Sequence, residues 1–221
     1  MAGTITALRF QKRNKNRVSV YIDGQFAFGL AAIEAARLRV GQALSDGDVA
    51  RLQVHDEVER AYERALNFLS YRPRSEAEVR RRLRKKGVED EGVEVVVARL
   101  TRAGLLNDRE FARYWVENRL QFNPRGARAL RHELREKGVP ASIIADTLAD
   151  FDEETSARRA AEAGMRRLAH LEPRDFRRRL GAYLARRGFS YAVVKPLIEE
   201  MLEAVRCEVL SSIESEGRDN G

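Results

Sequence analysis

The chain has 221 residues, 34% of them charged and 43% hydrophobic, and a net charge of +7 at neutral pH. It holds no apolar run of the ~18 residues that suggest a membrane helix, and its one cysteine, Cys207, excludes an internal disulfide. The first residues lack the apolar stretch of a secretory leader and a lone cysteine suits a reducing compartment, so a cytoplasmic protein is expected.

The N-terminal segment, 1–56, differs in pattern from the rest of the chain. Ile5-Thr6-Ala7-Leu8-Arg9-Phe10 alternates with period two and predicts a half-buried strand. Residues 12–16 are a polar turn, and β-branched and aromatic Val18-Ser19-Val20-Tyr21-Ile22 predicts a second strand. Asp23-Gly24 is a two-residue hairpin signal, which makes Phe26-Ala27-Phe28 a third strand. Short helices are predicted near 31–36 and from Ser45, where Asp48 three residues on is a capping partner. So small an antiparallel sheet needs a helix on one face.

From about Val58 the pattern is helical and repeats. Arg72-Pro73-Arg74-Ser75 leads into a basic helix that carries Val79 and Leu83 and stops at Gly87. Asn123-Pro124-Arg125 leads through Leu130 and Leu134 to Gly138, and Glu172-Pro173-Arg174 through Leu180 and Leu184 to Gly188. In each copy the apolar pair falls eight and four residues before the glycine, and the period is about 50 residues, the mark of a repeat architecture. Each repeat contains three predicted helices. The first run near 58–70, 108–121 and 153–169; the third run near 90–103, 140–150 and 190–205. Val93, Val97 and Leu100 align with Ile144, Leu148 and Phe151 and with Val194, Ile198 and Met201. The fold expected is mainly α: three tandem three-helix repeats, at 57–107, 108–152 and 153–207, behind a small antiparallel sheet, with a flexible tail at 208–221.

The positive charge is concentrated in one element. Residues 74–87, 125–138 and 174–188 hold 18 of the 41 Lys and Arg but five of the 34 acids. Such an excess, repeated three times, suits a polyanion or an acidic protein surface better than a merely solvated face. Arg81, Arg84, Lys85, Arg128, Arg131, Arg135, Arg178 and Arg179 lie off the apolar stripe and are expected to face solvent. With Arg74 and Arg125 from the turns, they are the candidate partner-binding residues. Only Lys85, Lys86 and Lys137 among the 18 are lysines; arginine is the better fork for carboxylate and phosphate.

Little here points to an enzyme. There is no phosphate-binding Gly-rich loop followed by Lys-Ser/Thr. His55, His132 and His170 are scattered without metal-ligand spacing, and Cys207 lies among Glu and Val in a helical tail. Phe111 and Trp115 share one helix face and are expected as core anchors of the middle repeat, with a partner contact for Trp115 as the sharper alternative. No cofactor or metal is expected. Two binding modes remain: docking onto a partner protein, and autonomous DNA binding of the helix-turn-helix type. Against the second, the helix after each of the first two glycines carries acids, including Asp90, Glu94, Asp146 and Asp150, where a groove-reading helix carries cations and amides.

The spaced pattern Ala65-Leu66…Leu69…Arg72-Pro73-Arg74-Ser75…Glu78-Val79…Leu83…Lys86-Gly87-Val88 resembles the RecX family, regulatory proteins of the RecA recombinase. Gly104-Leu105-Leu106-Asn107-Asp108…Phe111-Ala112 and Leu130…Glu133-Leu134…Lys137-Gly138-Val139 continue it. Ile5-Thr6-Ala7-Leu8 and Tyr21-Ile22-Asp23-Gly24…Phe28-Gly29-Leu30 fit its N-terminal part. The resemblance spans about residues 4–205 and is loosest in the third repeat. It implies a cytoplasmic, monomeric, non-enzymatic protein acting in DNA repair, homologous recombination and the SOS response. Such a protein binds in the groove of the RecA–DNA filament and inhibits recombinase and ATPase activity, with weak DNA binding of its own. One departure is Asn123-Pro124-Arg125-Gly126, a stiffer turn than a plain glycine linker.

Overall fold

The computed structural model describes residues 3–165, 167–168 and 170–216, with side chains as far as residue 203. They form two compact units, Met1–Leu106 and Asn107–Gly221.

In the first unit, β1 (Ile5–Phe10), β2 (Arg17–Ile22) and β3 (Gln25–Ala31) make an antiparallel sheet in that order. Asp23 and Gly24 join β2 to β3 with φ of 48° and 84°, the two left-handed residues that a type I′ hairpin requires. One sheet face buries Ile5, Val18, Val20, Phe28 and Leu30 against Ala35 of α1 (Ala32–Ala35) and Leu44.

The two helices expected from Ser45 and near 58–70 are one: α2 runs Asp46–Leu69. Ser45 and Asp48 complete the capping box in both directions, and neither Gly nor Pro interrupts the chain from 48 to 69. Its first half covers the sheet through Val49 and Leu52. Buried Asp56 accepts hydrogen bonds from the Arg17 guanidinium at 2.7 Å and the Ala31 N–H at 3.0 Å, which ties α2 to β2 and β3. Its second half packs Ala61 and Ala65 against α3 (Glu76–Arg84) and α4 (Asp90–Arg102).

The second unit holds two such triplets. They are α5 (Asp108–Phe122), α6 (Ala127–Glu136) and α7 (Ala141–Ala149), then α8 (Glu153–Met165), α9 (Pro173–Arg186) and α10 (Tyr191–Glu216). α8 ends at 165, short of the expected 169. α10 extends beyond 205 into the stretch expected to be a tail; residues 217–221 of that tail lie outside the described residues.

The six stripe residues Val79, Leu83, Leu130, Leu134, Leu180 and Leu184 are at most 1% exposed. The glycine that ends each basic helix has a physical reason. Gly87, Gly138 and Gly188 have φ of 77°, 78° and 85°. Their N–H groups bond to Arg84, Arg135 and Ala185 carbonyls, and the next N–H in each copy bonds to Leu83, Leu134 or Leu184. These are Schellman motifs, whose six-residue closure brings an apolar residue after the glycine onto the last stripe leucine. Val139 and Phe189 are accordingly buried, and Val88 packs on the same cluster as Leu83.

Candidate functional site

A stripe only two residues wide leaves most of each basic helix facing outward. Arg81, Arg84, Lys85, Arg128, Arg131, Arg135, Arg178 and Arg179 are all exposed, as their positions off the stripe imply. Exposure alone does not make a cation available. Arg84 donates to Asp90 at 2.7 Å, Arg178 to Asp175 at 2.9 Å, and Arg128 to the Ala185 carbonyl at 3.1 Å. Among the described residues, Arg81, Lys85, Arg131, Arg135 and Arg179 have no carboxylate partner.

The acids of the third helices act inside the repeats. Arg80 forks onto Glu94, with one bond at 3.0 Å, and also holds Glu76 at 2.8 Å. The hydrogen bond from Arg80 holds the Glu94 carboxyl below its ordinary value, and Glu94 in turn raises the Arg80 guanidinium. Arg109 reaches Asp146 at 3.0 Å, joining α5 to α7, and Arg158 forks onto Glu200, joining α8 to α10.

Arg74 and Arg125 differ from the other candidates. Arg74 has a side-chain exposure of 16% and stacks on the Phe68 ring at 4.1 Å; burial, then the neighbouring Arg72, lowers its pKa. Arg125 lies 3.6 Å from Glu133. Both sit at the same place in their turns and are drawn inward, away from the exposed faces. Glu133 also accepts from the Trp115 indole at 2.8 Å and from Arg119 at 2.7 Å. Trp115 is half-buried between Arg119 and Lys137 and packs on the core that holds Phe111, so both aromatics anchor the middle repeat.

The structure adds a feature that the repeat pattern did not single out. Between α8 and α9 a groove of about 600 Å³ is lined by Arg167, Arg178, Arg179, Arg186 and Arg187 without a carboxylate on its walls. Arg187 is held by neutral acceptors, Asn123 Oδ1 at 2.8 Å and the Pro124 carbonyl at 2.9 Å, and by the Tyr183 ring at 4.7 Å. Its charge is therefore oriented but not cancelled. The adjacent Arg186-Arg187 before Gly188 was the sequence signal for it.

Such surfaces can bind carboxylate or phosphate through forked contacts. Among the described residues no group of three His, Cys, Asp or Glu could hold a metal ion, and no helix is long and apolar enough to cross a membrane. The three histidines are exposed.

Four family profiles match in chain order: the regulatory protein RecX N-terminal domain over residues 3–45, and the first, second and third RecX three-helix domains over 61–100, 107–148 and 152–198. Regulatory protein RecX of Bacillus licheniformis is 32% identical over 201 residues, covering 89% of this chain and 76% of that one. The protein of the same name from Bacillus subtilis is 33% identical over 202 residues, with the same coverage. A crystal structure of a regulatory protein RecX superposes with a TM-score of 0.70 at 28% identity, covering 90% of this chain and all of that one. RecX from Lactobacillus salivarius gives 0.59 at 26% identity over 66% of this chain and 97% of that one.

Proposed function

The chain belongs to the RecX family of regulatory proteins, and from that premise we propose that it is a non-enzymatic cytoplasmic regulator of a RecA recombinase in DNA repair. It lays the arginine faces of its repeats against the RecA–DNA filament and restrains recombination and ATP hydrolysis.

The supporting observation is the set of exposed cations without an internal carboxylate: Arg81 and Lys85 on α3, Arg131 and Arg135 on α6, and Arg179 on α9. Arg80, Arg84 and Arg178 beside them are engaged within the fold, while these five are among the groups left to meet acidic protein surface or DNA phosphate. Helix-turn-helix reading of duplex DNA is disfavoured by α7, which holds neither Lys, Arg, Asn nor Gln, and by α4, whose N-terminal half carries Asp90, Glu91 and Glu94 and no cation.

The test is a variant with alanine at Arg81, Lys85, Arg131, Arg135 and Arg179, confirmed as folded by circular dichroism and titrated against preformed filaments at two salt concentrations. ATPase inhibition should weaken, with the salt slope flattened by about one unit for each phosphate that the variant no longer meets. Unchanged inhibition at both salts would remove these faces from the interface.

A further inference from the structure

The outer face of the N-terminal sheet belongs neither to the core of its unit nor to the arginine faces. Leu8, Val18, Val20, Phe28 and Leu30 turn inward, so by the period of two Ala7, Arg9, Ser19 and Tyr21 turn outward, and the register shift between Val20 and Tyr21 brings Phe26, although two residues from Phe28, beside Tyr21. The register sets Ala7 beside Tyr21, Tyr21 beside Phe26, and Arg9 beside Ser19. On this face the Arg9 guanidinium lies 5.2 Å from the Tyr21 ring centroid, and Phe26 meets Tyr21 edge-on at 6.0 Å and 78°. Phe26 is 59% exposed. Ala7 and Ser19 leave a low floor around the rings, and no described helix packs an apolar residue over them.

Positive charge gathers on the same strands, at the end opposite the rings, about 13 Å along β2 from Tyr21. In the first 31 residues Arg9, Lys12, Arg13, Lys15 and Arg17 face one acid, Asp23. Arg17 is paired with Asp56, but Lys12, Arg13 and Lys15 stand exposed in the β1–β2 turn. The net acidity of the chain outside its repeated basic helices conceals this local excess. Aromatic faces beside a basic track suit a single strand of nucleic acid, since every base has a face that stacks and every phosphate a charge to be met. A duplex keeps its bases stacked on each other and offers the rings nothing.

We propose that this sheet face binds single-stranded nucleic acid, with bases stacked on Tyr21 and Phe26 and the flanking phosphodiesters against Arg9 and the basic turn. The site shares no residue with the arginine faces of the repeats, and its assay contains no recombinase, so its outcome is independent of the filament reading.

The experiment is fluorescence anisotropy of the full chain with labelled oligo-dT of about 20 nucleotides, an abasic strand of the same length, and a duplex. Oligo-dT should bind about tenfold more tightly than the abasic strand. The pair Tyr21→Thr and Phe26→Thr, which retains strand preference, should abolish that difference. Alanine at Lys12, Arg13 and Lys15 should weaken both strands alike and flatten the salt slope. Should the double variant fail to fold, Phe26→Leu keeps the apolar contact without the ring and should weaken oligo-dT alone. The proposal is overturned by equal affinity for oligo-dT and the abasic strand, by preference for the duplex, by absence of binding, or by wild-type oligo-dT binding in the folded ring variants. An acidic protein as the true occupant would show as one of these failures.

Discussion

Gly126 and Gly188 meet backbone to backbone: a Cβ on Gly126 would stand 2.2 Å from the Gly188 carbonyl oxygen, and one on Gly188 would stand 2.5 Å from the Ala129 Cβ. The Gly126 N–H donates to the Arg187 carbonyl at 3.0 Å, and Arg128 donates to the Ala185 carbonyl. The Arg187 carbonyl at the end of α9 is thus satisfied by the preceding repeat, and the Ala185 carbonyl, which accepts from the Gly188 N–H, gains a second donor. Where the first repeat has Arg-Pro-Arg-Ser, the second has Asn-Pro-Arg-Gly. Gly126 has φ −77° and ψ 162°, close to the −73° and 158° of Ser75, so its backbone conformation does not demand glycine. The neighbour does.

Gly188→Ala should therefore cost more than Gly87→Ala, although both positions have positive φ. At Gly87 nothing lies within 4 Å of an added Cβ, so only left-handed strain is expected, about 1–2 kcal/mol. At Gly188 the contact with Ala129 adds overpacking, for a total of about 3 kcal/mol. Urea denaturation of the two variants measures the difference; equal losses would mean that the second and third repeats do not rely on this approach.

Gly126 has no side chain to cap α6, and the cap comes from elsewhere. Glu153 Oε1 accepts from the Ala127 N–H at 3.0 Å, while its Oε2 accepts from the Ser190 hydroxyl at 3.1 Å. Glu153→Ala should cost about 1–2 kcal/mol, the worth of a good helix cap. Glu153→Gln keeps an acceptor but loses the charge at the helix N-terminus and should cost less than about 1 kcal/mol. Identical midpoints for Ala and Gln would argue against the cap.

Leu134 is fully buried among Phe111, Leu130, Val139 and Ile144. Leu134→Ala should cost about 2–5 kcal/mol. A thermal midpoint unchanged within error would contradict the packing of the middle repeat.

Acid should release the Arg80–Glu94 pair. Because Arg80 lowers the Glu94 pKa, the contribution is present above the unfolded carboxyl value, near 4.5, and is lost as pH falls through the lower folded value. Glu94→Gln should therefore melt below the wild type at pH 7 and match it in strong acid. A gap that stays constant with pH would assign the effect to something other than this ionisation.

Much of the fold was legible because it is written over short distances. The Asp23-Gly24 turn, the Ser75–Glu78 box and the leucines counted back from each glycine are constraints among residues fewer than ten apart. The continuity of α2 was not, because the repeating pattern begins only near Val58, although no Gly or Pro lies between there and Asp48 to stop the helix that starts at Ser45. The exposed arginines were legible as off-stripe positions. Their division into engaged and available ones was not, because Arg80 and Arg84 find their acids on the next helix.

The sequence by itself determined the three repeats, their inward residues, the hairpin and the places where charge gathers, since helix, strand and turn patterns follow from local sterics and periodic burial. Only the tertiary structure decided that Gly126 is a docking surface, that Glu153 caps a helix of another repeat, and that Arg187 is anchored by Asn123, 64 residues away. The partners in those contacts are largely backbone N–H and C=O groups, which every residue carries and which therefore leave no mark in the order of side chains.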